Sequence, residues 1–236
     1  PRMWEAFLAR APEARIYCHP KIPAEASRGF LRDGIIRDRV ETHPGGISLV
    51  DASLNLFRAA FEDSRNTHVI LLSETAIPIV PFAEIEGELG RSEGLSYISF
   101  NVPAPGTEHF LRQRALPKGC HFSPFFQHDQ WLILSRRHVE QLLDKPKLAC
   151  FSRMFAPDEH YFLNVLAHVR GVPPAQVRNS RKTFVNWRDR AVKETRDLSG
   201  RIVSRTIHPK TYDTLSPGIV EQARGLGCWF LRKVSP

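Results

Sequence analysis

The fold is most constrained by a helical segment that is followed by a short, unbroken apolar run. Four apolar residues recur on one face of a helix that we predict over residues 48–63: Val50, Leu54, Phe57 and Phe61. Residues 68–72 then read His-Val-Ile-Leu-Leu and end at Ser73 and Glu74. Such a run predicts a central strand that is buried on both sides. Helix, strand and polar loop in this order are typical of an α/β sheet.

The remaining segments extend this pattern without any internal repeat. Strands are predicted at residues 14–18, 34–36, 95–100, 130–134 and 228–231. Helices are predicted at residues 81–89, 137–143, 158–168, where Asp158 is the expected cap, and 217–224. Residues 101–129 show no period, and we interpret them as a long loop with a basic cluster at Arg112 and Arg114. A chain of 236 residues with 42% hydrophobic residues can build one large core.

The charge favours an anionic partner but does not identify one. The net charge is +8, and the basic residues are scattered rather than gathered into one stretch. Nucleotide phosphates, nucleic acid and a merely solvated basic surface are all compatible with this distribution. No run of about 18 apolar residues is present, so the sequence predicts no membrane-spanning helix.

Four cysteines are widely spaced, at positions 18, 120, 150 and 228, with no spacing typical of a zinc site. Two disulfides or buried free thiols are equally compatible with this count.

Residues 157–162, Pro-Asp-Glu-His-Tyr-Phe, contain a candidate catalytic carboxylate. At the start of a helix the dipole would keep Glu159 ionised, as a general base requires. Capping alone also explains acidic residues at this place. Trp187, 28 positions later, offers a flat apolar wall for a sugar ring. Since three consecutive residues point in different directions on a helix, Asp158, Glu159 and His160 are not expected to bind a metal.

Polar residues at two strand ends are candidate ligand contacts. Ser73 and Glu74 follow the apolar run, and ligands of open α/β sheets bind beyond the carboxyl ends of strands. Arg232 and Lys233 end the last predicted strand, where a basic pair can hold a diphosphate. Ordinary surface loops also carry such residues. The glycine-rich motifs of dinucleotide and P-loop sites are absent from the sequence.

Seven segments, taken in order, resemble the core-2/I-branching β-1,6-N-acetylglucosaminyltransferase family, particularly its plant-like branch. They are residues 15–19 (RIYCH), 46–52 (GISLVDA), 69–79 (VILLSETAIPI), 130–136 (QWLILSR), 157–159 (PDE), 184–187 (FVNW) and 228–233 (CWFLRK). The family implies a variant of the GT-A nucleotide-sugar-binding fold, with a mixed central sheet flanked by helices. Residues 1–236 would then form one catalytic domain that is truncated at its N-terminus and lacks the first strand of the fold.

The resemblance also implies an activity. Family members transfer a sugar, most often GlcNAc, from a UDP-sugar to a hydroxyl of a glycan or glycoprotein, with inversion. They need no divalent metal, and this chain lacks the Asp-x-Asp metal motif. The expected location is the Golgi lumen, as a type II membrane protein anchored by a segment that is not in this chain.

Family roles carry over to individual positions of this chain. Glu159 matches the catalytic base, Trp187 an aromatic residue of the acceptor site, and Lys233 a residue that binds the UDP diphosphate in place of a metal. Arg205 is the best match to the second diphosphate-binding residue, and His208 and Lys210 are alternatives. Arg112 or Arg114 corresponds to a basic acceptor contact. A basic nucleic-acid-binding module and a non-catalytic carbohydrate-binding relative remain alternative interpretations.

Overall fold

The protein is described by a computed structural model that covers residues 2–22, 29–92, 94–144, 146, 148–196 and 201–235. The α-helices are Arg2–Leu8, Ser48–Phe61, Phe82–Arg91, Glu108–Arg112, Arg136–Leu143, Leu148–Phe151, Tyr161–Asn164 and Pro217–Gly225. Single turns of 3₁₀ helix lie at Gly29–Gly34, Gln113–Ala115, Pro157–Glu159 and Pro174–Gln176, and a π-helical turn lies at Val165–Val169. None of the helices in these ranges has the length and apolar character needed to cross a membrane.

The strands are β1 (His68–Ile70), β2 (Ile77–Pro78), β3 (Ser96–Ile98), β4 (Phe100–Asn101), β5 (Gln127–His128), β6 (Ile133–Ser135), β7 (Val177–Asn179), β8 (Thr183–Val185), β9 (Ala191–Arg196), β10 (Ile202–His208) and β11 (Phe230–Arg232). The largest sheet has the order β1-β6-β3-β7, with β3 and β7 parallel and the other neighbours antiparallel. A second sheet has the order β2-β11-β8, with β11 parallel to β8. Two antiparallel pairs, β4-β5 and β9-β10, complete a mixed α/β architecture.

The main core lies where the helix Ser48–Phe61 meets the segment that follows Glu159. Val50, Leu54 and Phe57 of that helix are buried, as the sequence predicts. Phe57 packs edge to face against Phe162, with 5.7 Å between ring centroids. Burial of one such side chain contributes about 1.5–3 kcal/mol. This packing fixes the chain directly after Glu159 against the longest helix of the described residues.

Two sequence predictions about strands are wrong. The run at residues 68–72 is not a central strand, since β1 ends the four-stranded sheet and its residues are only half-buried. The fully buried β6 and β3 occupy the two interior positions instead. A short apolar run does not reveal how many neighbours a strand has. Residues 14–18 and 34–36 form only one parallel bridge, between Cys18 and Ile35.

Two predictions about loops and caps are also wrong. Residues 101–129 are not a structureless loop, because they contain the helix Glu108–Arg112 and the strand β5. Asp158 caps no helix: it lies inside the turn Pro157–Glu159, and the helix Tyr161–Asn164 has no side-chain cap. The expectation that a helix dipole holds Glu159 ionised loses its basis with that geometry.

One disulfide joins Cys120 to Cys150. Cys18 and Cys228 are free. Burial raises the pKa of the Cys228 thiol to about 11, so this cysteine is neutral and unreactive at neutral pH. Of the two possibilities that the sequence left open, the structure therefore combines one disulfide with two free thiols.

Candidate functional site

Glu159 is held by a tight turn rather than by a long helix. Ala156, which precedes the turn, has a left-handed backbone with φ of 50°, and its amide donates to the carbonyl of Gly45 at 2.8 Å. The amide of Glu159 donates to the carbonyl of Ala156, which closes the turn. These bonds fix the backbone of Glu159 and leave its side chain half-buried.

Arg112 pairs directly with Glu159. Its Nη1 lies 2.8 Å from Oε2 of Glu159, and its Nη2 lies 2.6 Å from Oε1 of Glu108, one helical turn earlier. The Arg112 side chain is only 10% exposed, so solvent weakens the pair with Glu159 less than at an open surface. Of the two arginines that the sequence singled out, Arg112 reaches the candidate base, whereas Arg114 is exposed.

Two histidines lie beside the same carboxylate. His109 Nδ1 is 3.8 Å from Oε2 of Glu159 and 3.5 Å from Nε2 of His160. Burial lowers the pKa of His160 to about 3, and burial followed by the charge of Arg112 lowers the pKa of His109. Both rings are therefore neutral at neutral pH. His109 could not be identified from the sequence, because nothing in residues 101–129 indicates a helix that would bring it to Glu159.

Asp158 has a different environment from its neighbour. It is 5% exposed, and its Oδ1 has no hydrogen-bond partner among the described residues. Burial, and then the charge of Glu159, raise the pKa of Asp158 to about 6. The two adjacent carboxyls are thus distinct, because only Glu159 has a cation within bonding distance and access to solvent.

A second group of predicted residues gathers at the end of β11. The guanidinium of Arg232 lies 4.2 Å above the ring of Trp131, and its Nε is buried without a hydrogen-bond partner. Burial lowers the pKa of Arg232 to about 10, an effect that the charge of Glu74 partly offsets, so the side chain is cationic at neutral pH. In the part of the chain that the structure describes, neither Arg232 nor Lys233 forms an ion pair with a carboxylate.

Trp187 lies close to this second group. The parallel register of β11 and β8 pairs Arg232 with Val185, two residues before Trp187. Asn186 sets the turn that follows β8, because its Oδ1 accepts from the amides of residues 188 and 189 and its Nδ2 donates to the hydroxyl of Tyr212 at 2.7 Å. Tyr212 in turn donates its amide to the carbonyl of Lys233. Trp187 is 48% exposed at the tip of this turn.

Ser73 and Glu74 reach the same end of the second sheet. The amide of Val234 donates to the carbonyl of Thr75, and the Ser73 hydroxyl lies 3.1 Å from the Thr75 hydroxyl. Glu74 is exposed. The structure therefore brings Ser73 and Glu74 to the segment that carries Arg232 and Lys233.

The other predicted contacts are less well placed. Arg205 belongs to β10, but its side chain lies outside the described part of the structure. Lys210 lies 3.6 Å from Asp189, which compensates its charge, and His208 is exposed. In the described part of the chain, no hydrogen bond or ion pair joins the Glu159 group to the Arg232 group.

A cavity of about 320 Å³ contains none of the predicted site residues. Its lining includes Glu88, Lys182, Arg224 and Trp229. The Lys182 ammonium already pairs with Glu88 at 2.9 Å and lies 4.4 Å from the Trp229 ring. Because Lys182 and Glu88 are already paired with each other and none of the predicted site residues lines this cavity, we do not place the functional site there.

The chain matches the family described as Core-2/I-Branching enzyme over residues 4–223, which is most of its length. No curated protein matches the chain.

Proposed function

We propose that this chain, which belongs to the Core-2/I-branching enzyme family and is therefore a glycosyltransferase, transfers GlcNAc from a UDP-sugar to a hydroxyl of a glycan or glycoprotein. The transfer proceeds with inversion and without a divalent metal. The observation that carries the proposal is the half-buried Glu159 carboxylate beside Arg112, in a family of sugar transferases.

Glu159 acts as the general base. Its carboxylate takes the proton of the acceptor hydroxyl while the hydroxyl oxygen forms a bond to the anomeric carbon. The bond between that carbon and the diphosphate oxygen breaks, and its electron pair leaves with UDP. General-base catalysis typically contributes about 10²–10⁴-fold in rate. Arg112 holds the carboxylate in place and compensates its charge.

Arg232 and Lys233 stabilise the leaving diphosphate. A partly buried arginine that forms no ion pair with any described carboxylate is costly to maintain, and a bound anion offsets that cost. Fixed cations at a site that excludes water act on developing negative charge without reorganisation. The pair therefore takes the role that a divalent cation has in metal-dependent transferases, and Arg205 is a candidate third cation.

Exposed aromatic rings supply the acceptor surface. Trp187 is one, as the family resemblance implies. Phe155, which is 62% exposed, is a second, because its ring lies 5.1 Å from the Arg112 guanidinium and so stands near the candidate base. Flat rings of this kind suit the apolar face of a pyranose, and Arg112 would bond the hydroxyl groups at its edge.

The compartment is the Golgi lumen, where members of this family work. The Cys120–Cys150 disulfide supports this proposal, because disulfides persist in oxidising compartments of the secretory pathway.

The test compares Glu159→Gln with Glu108→Gln. Both substitutions remove a carboxylate partner of Arg112, but only the first removes the base. We measure UDP binding by calorimetry and GlcNAc transfer with EDTA present. Glu159→Gln should lose about 10²–10⁴-fold in turnover and keep its UDP affinity, and Glu108→Gln should keep most of both.

Other outcomes would contradict the proposal. If Glu159→Gln retained its turnover, Glu159 could not be the general base. Complete loss of wild-type turnover in EDTA would refute metal independence. UDP and glycan binding without any transfer would favour the non-catalytic carbohydrate-binding relative. Binding that is indifferent to UDP and falls steeply with salt would favour the nucleic-acid module.

A further inference from the structure

Three metal-ligating side chains converge beside the candidate base. The donor atoms of His109, Glu159 and His160 all lie within 4.8 Å of one another. Two of these separations are 3.5 Å, from His109 to His160, and 3.8 Å, from His109 to Glu159. Ligands of tetrahedral zinc at about 2.0–2.1 Å stand about 3.3 Å apart, so small side-chain shifts suffice. We propose that these residues form a Zn²⁺ site that inhibits the enzyme, an inference that rests on the proposed role of Glu159.

The hydrogen bond that His160 makes through Nδ1 leaves its Nε2 free to bind a metal. Because a carbonyl can only accept, the Nδ1–H of His160 donates to the carbonyl of Phe126 at 2.9 Å. Its Nε2 therefore carries a lone pair directed at the cluster. Metal-bound histidines nearly always donate their second ring N–H to a carbonyl or a carboxylate in this manner. Phe125 stacks on the ring at 4.8 Å and holds its orientation.

His109 can switch between a metal-free and a metal-bound arrangement. In the structure the Gln127 amide donates to His109 Nε2 at 3.0 Å, and His109 Nδ1–H points at His160. When zinc binds, the proton moves from Nδ1 to Nε2, and the Gln127 amide turns so that its oxygen accepts that proton. His109 stays neutral throughout, and its Nδ1 lone pair binds the metal.

The local charges permit a dication. Glu159 and Glu108 together outweigh Arg112, which contacts both of them. The site is open to solvent, because the side chains of His109 and Glu159 are 29% and 35% exposed. Only His160, at the base of the cluster, is fully buried.

Zinc on Glu159 would stop catalysis at the first step. A carboxylate oxygen that donates its lone pair to zinc no longer takes the acceptor proton. The family reaction needs no metal in the proposal above, so the same site would give inhibition by Zn²⁺ and recovery with a chelator.

The test uses ZnCl₂ titrated into the metal-free protein in a calorimeter, and Co²⁺ as a spectroscopic substitute with visible d–d bands. Wild type should bind one ion per chain with a tetrahedral Co²⁺ spectrum. Gln127→Leu should lose about 10–100-fold in affinity, as outer contacts of ligating histidines typically do. His109→Asn should lose more than that. His121→Asn, at an exposed histidine outside the cluster, is the control and should bind as wild type does.

Absence of Zn²⁺ binding, or equal affinity in wild type and His109→Asn, would overturn the site. Zinc binding that leaves the transfer activity of wild type intact would overturn its inhibitory role. The proposed function is tested apart from this, by transfer in EDTA. If the protein were inactive in EDTA but still bound zinc through His109, the proposed function would be contradicted and the zinc site would still be supported.

Discussion

Replacing Asp158 with asparagine should stabilise the protein at neutral pH. The carboxyl is 5% exposed, and its pKa is raised from 3.8 to about 6. Because the folded state binds this proton more tightly than the unfolded state, the stabilisation is complete below about pH 4 and is lost as the pH rises through 6. At about 1.36 kcal/mol per pKa unit, the shift is equivalent to about 3 kcal/mol.

Urea unfolding between pH 4 and pH 7.5 measures the effect. The asparagine variant carries no titrating group at position 158. Its free energy of unfolding relative to that of wild type should therefore increase by about 2.4 kcal/mol from pH 4 to pH 7.5. The buried histidines titrate in both proteins and cancel in the difference. Asp38→Asn, which removes an exposed carboxyl, is the matched control for the chemical change.

A constant difference between wild type and Asp158→Asn from pH 4 to pH 7.5 would refute this reasoning, because it would mean that the folded and unfolded pKa values of Asp158 are equal. The charge of Glu159 is the second cause of the shift. The same titration of Glu159→Gln should therefore show a smaller pH dependence than wild type.

Two further predictions concern the acceptor surface and the disulfide. Trp187→Ala, at a half-exposed side chain, should leave the free energy of unfolding within about 0.5 kcal/mol of wild type but raise the KM for the acceptor about 10-fold, about 1.4 kcal/mol; steady-state kinetics with an unchanged KM would contradict this role. Replacing both Cys120 and Cys150 by serine opens a loop of 30 residues and should cost about 3–4 kcal/mol in urea unfolding. Cys18→Ser, which breaks no bridge, is the control, and equal stability of the two variants would refute the estimate.

Periodicity predicted the helices whose faces are regular. Val50, Leu54 and Phe57 recur at helical spacing, and all three are buried in the helix Ser48–Phe61. Ser216 and Pro217 likewise predicted the start of the helix Pro217–Gly225. In these segments one local pattern decides both the conformation and the buried face, so tertiary context adds little.

Sheet position and disulfide pairing could not be predicted in the same way. The apolar run that contains β1 is typical of an interior strand. Only the order of the strands in the sheet shows that β1 lies at its edge. The bond between Cys120 and Cys150 depends on which loops meet in space. Both properties arise from contacts between residues that are distant in sequence, which spacing within one segment does not encode.

Only part of the candidate site could be predicted from the sequence, for a related reason. Glu159 and Lys233 stand in recognisable segments, but the partners of Glu159 come from the stretch with the weakest pattern. Arg112 and His109 share the helix Glu108–Arg112, which is only five residues long and has no fully buried residue.

A helix this short is marginal in water, so its position depends on tertiary contacts. The contacts that hold it include the pairs Arg112–Glu159 and Gln127–His109, together with the ring contact between His109 and His160. The position of this helix therefore depends on the same groups that the proposed chemistry uses. It follows that Glu159→Ala, which removes both the charge and the hydrogen-bond acceptor for Arg112, should loosen this helix, whereas Glu159→Gln, which keeps an acceptor, should disturb it less.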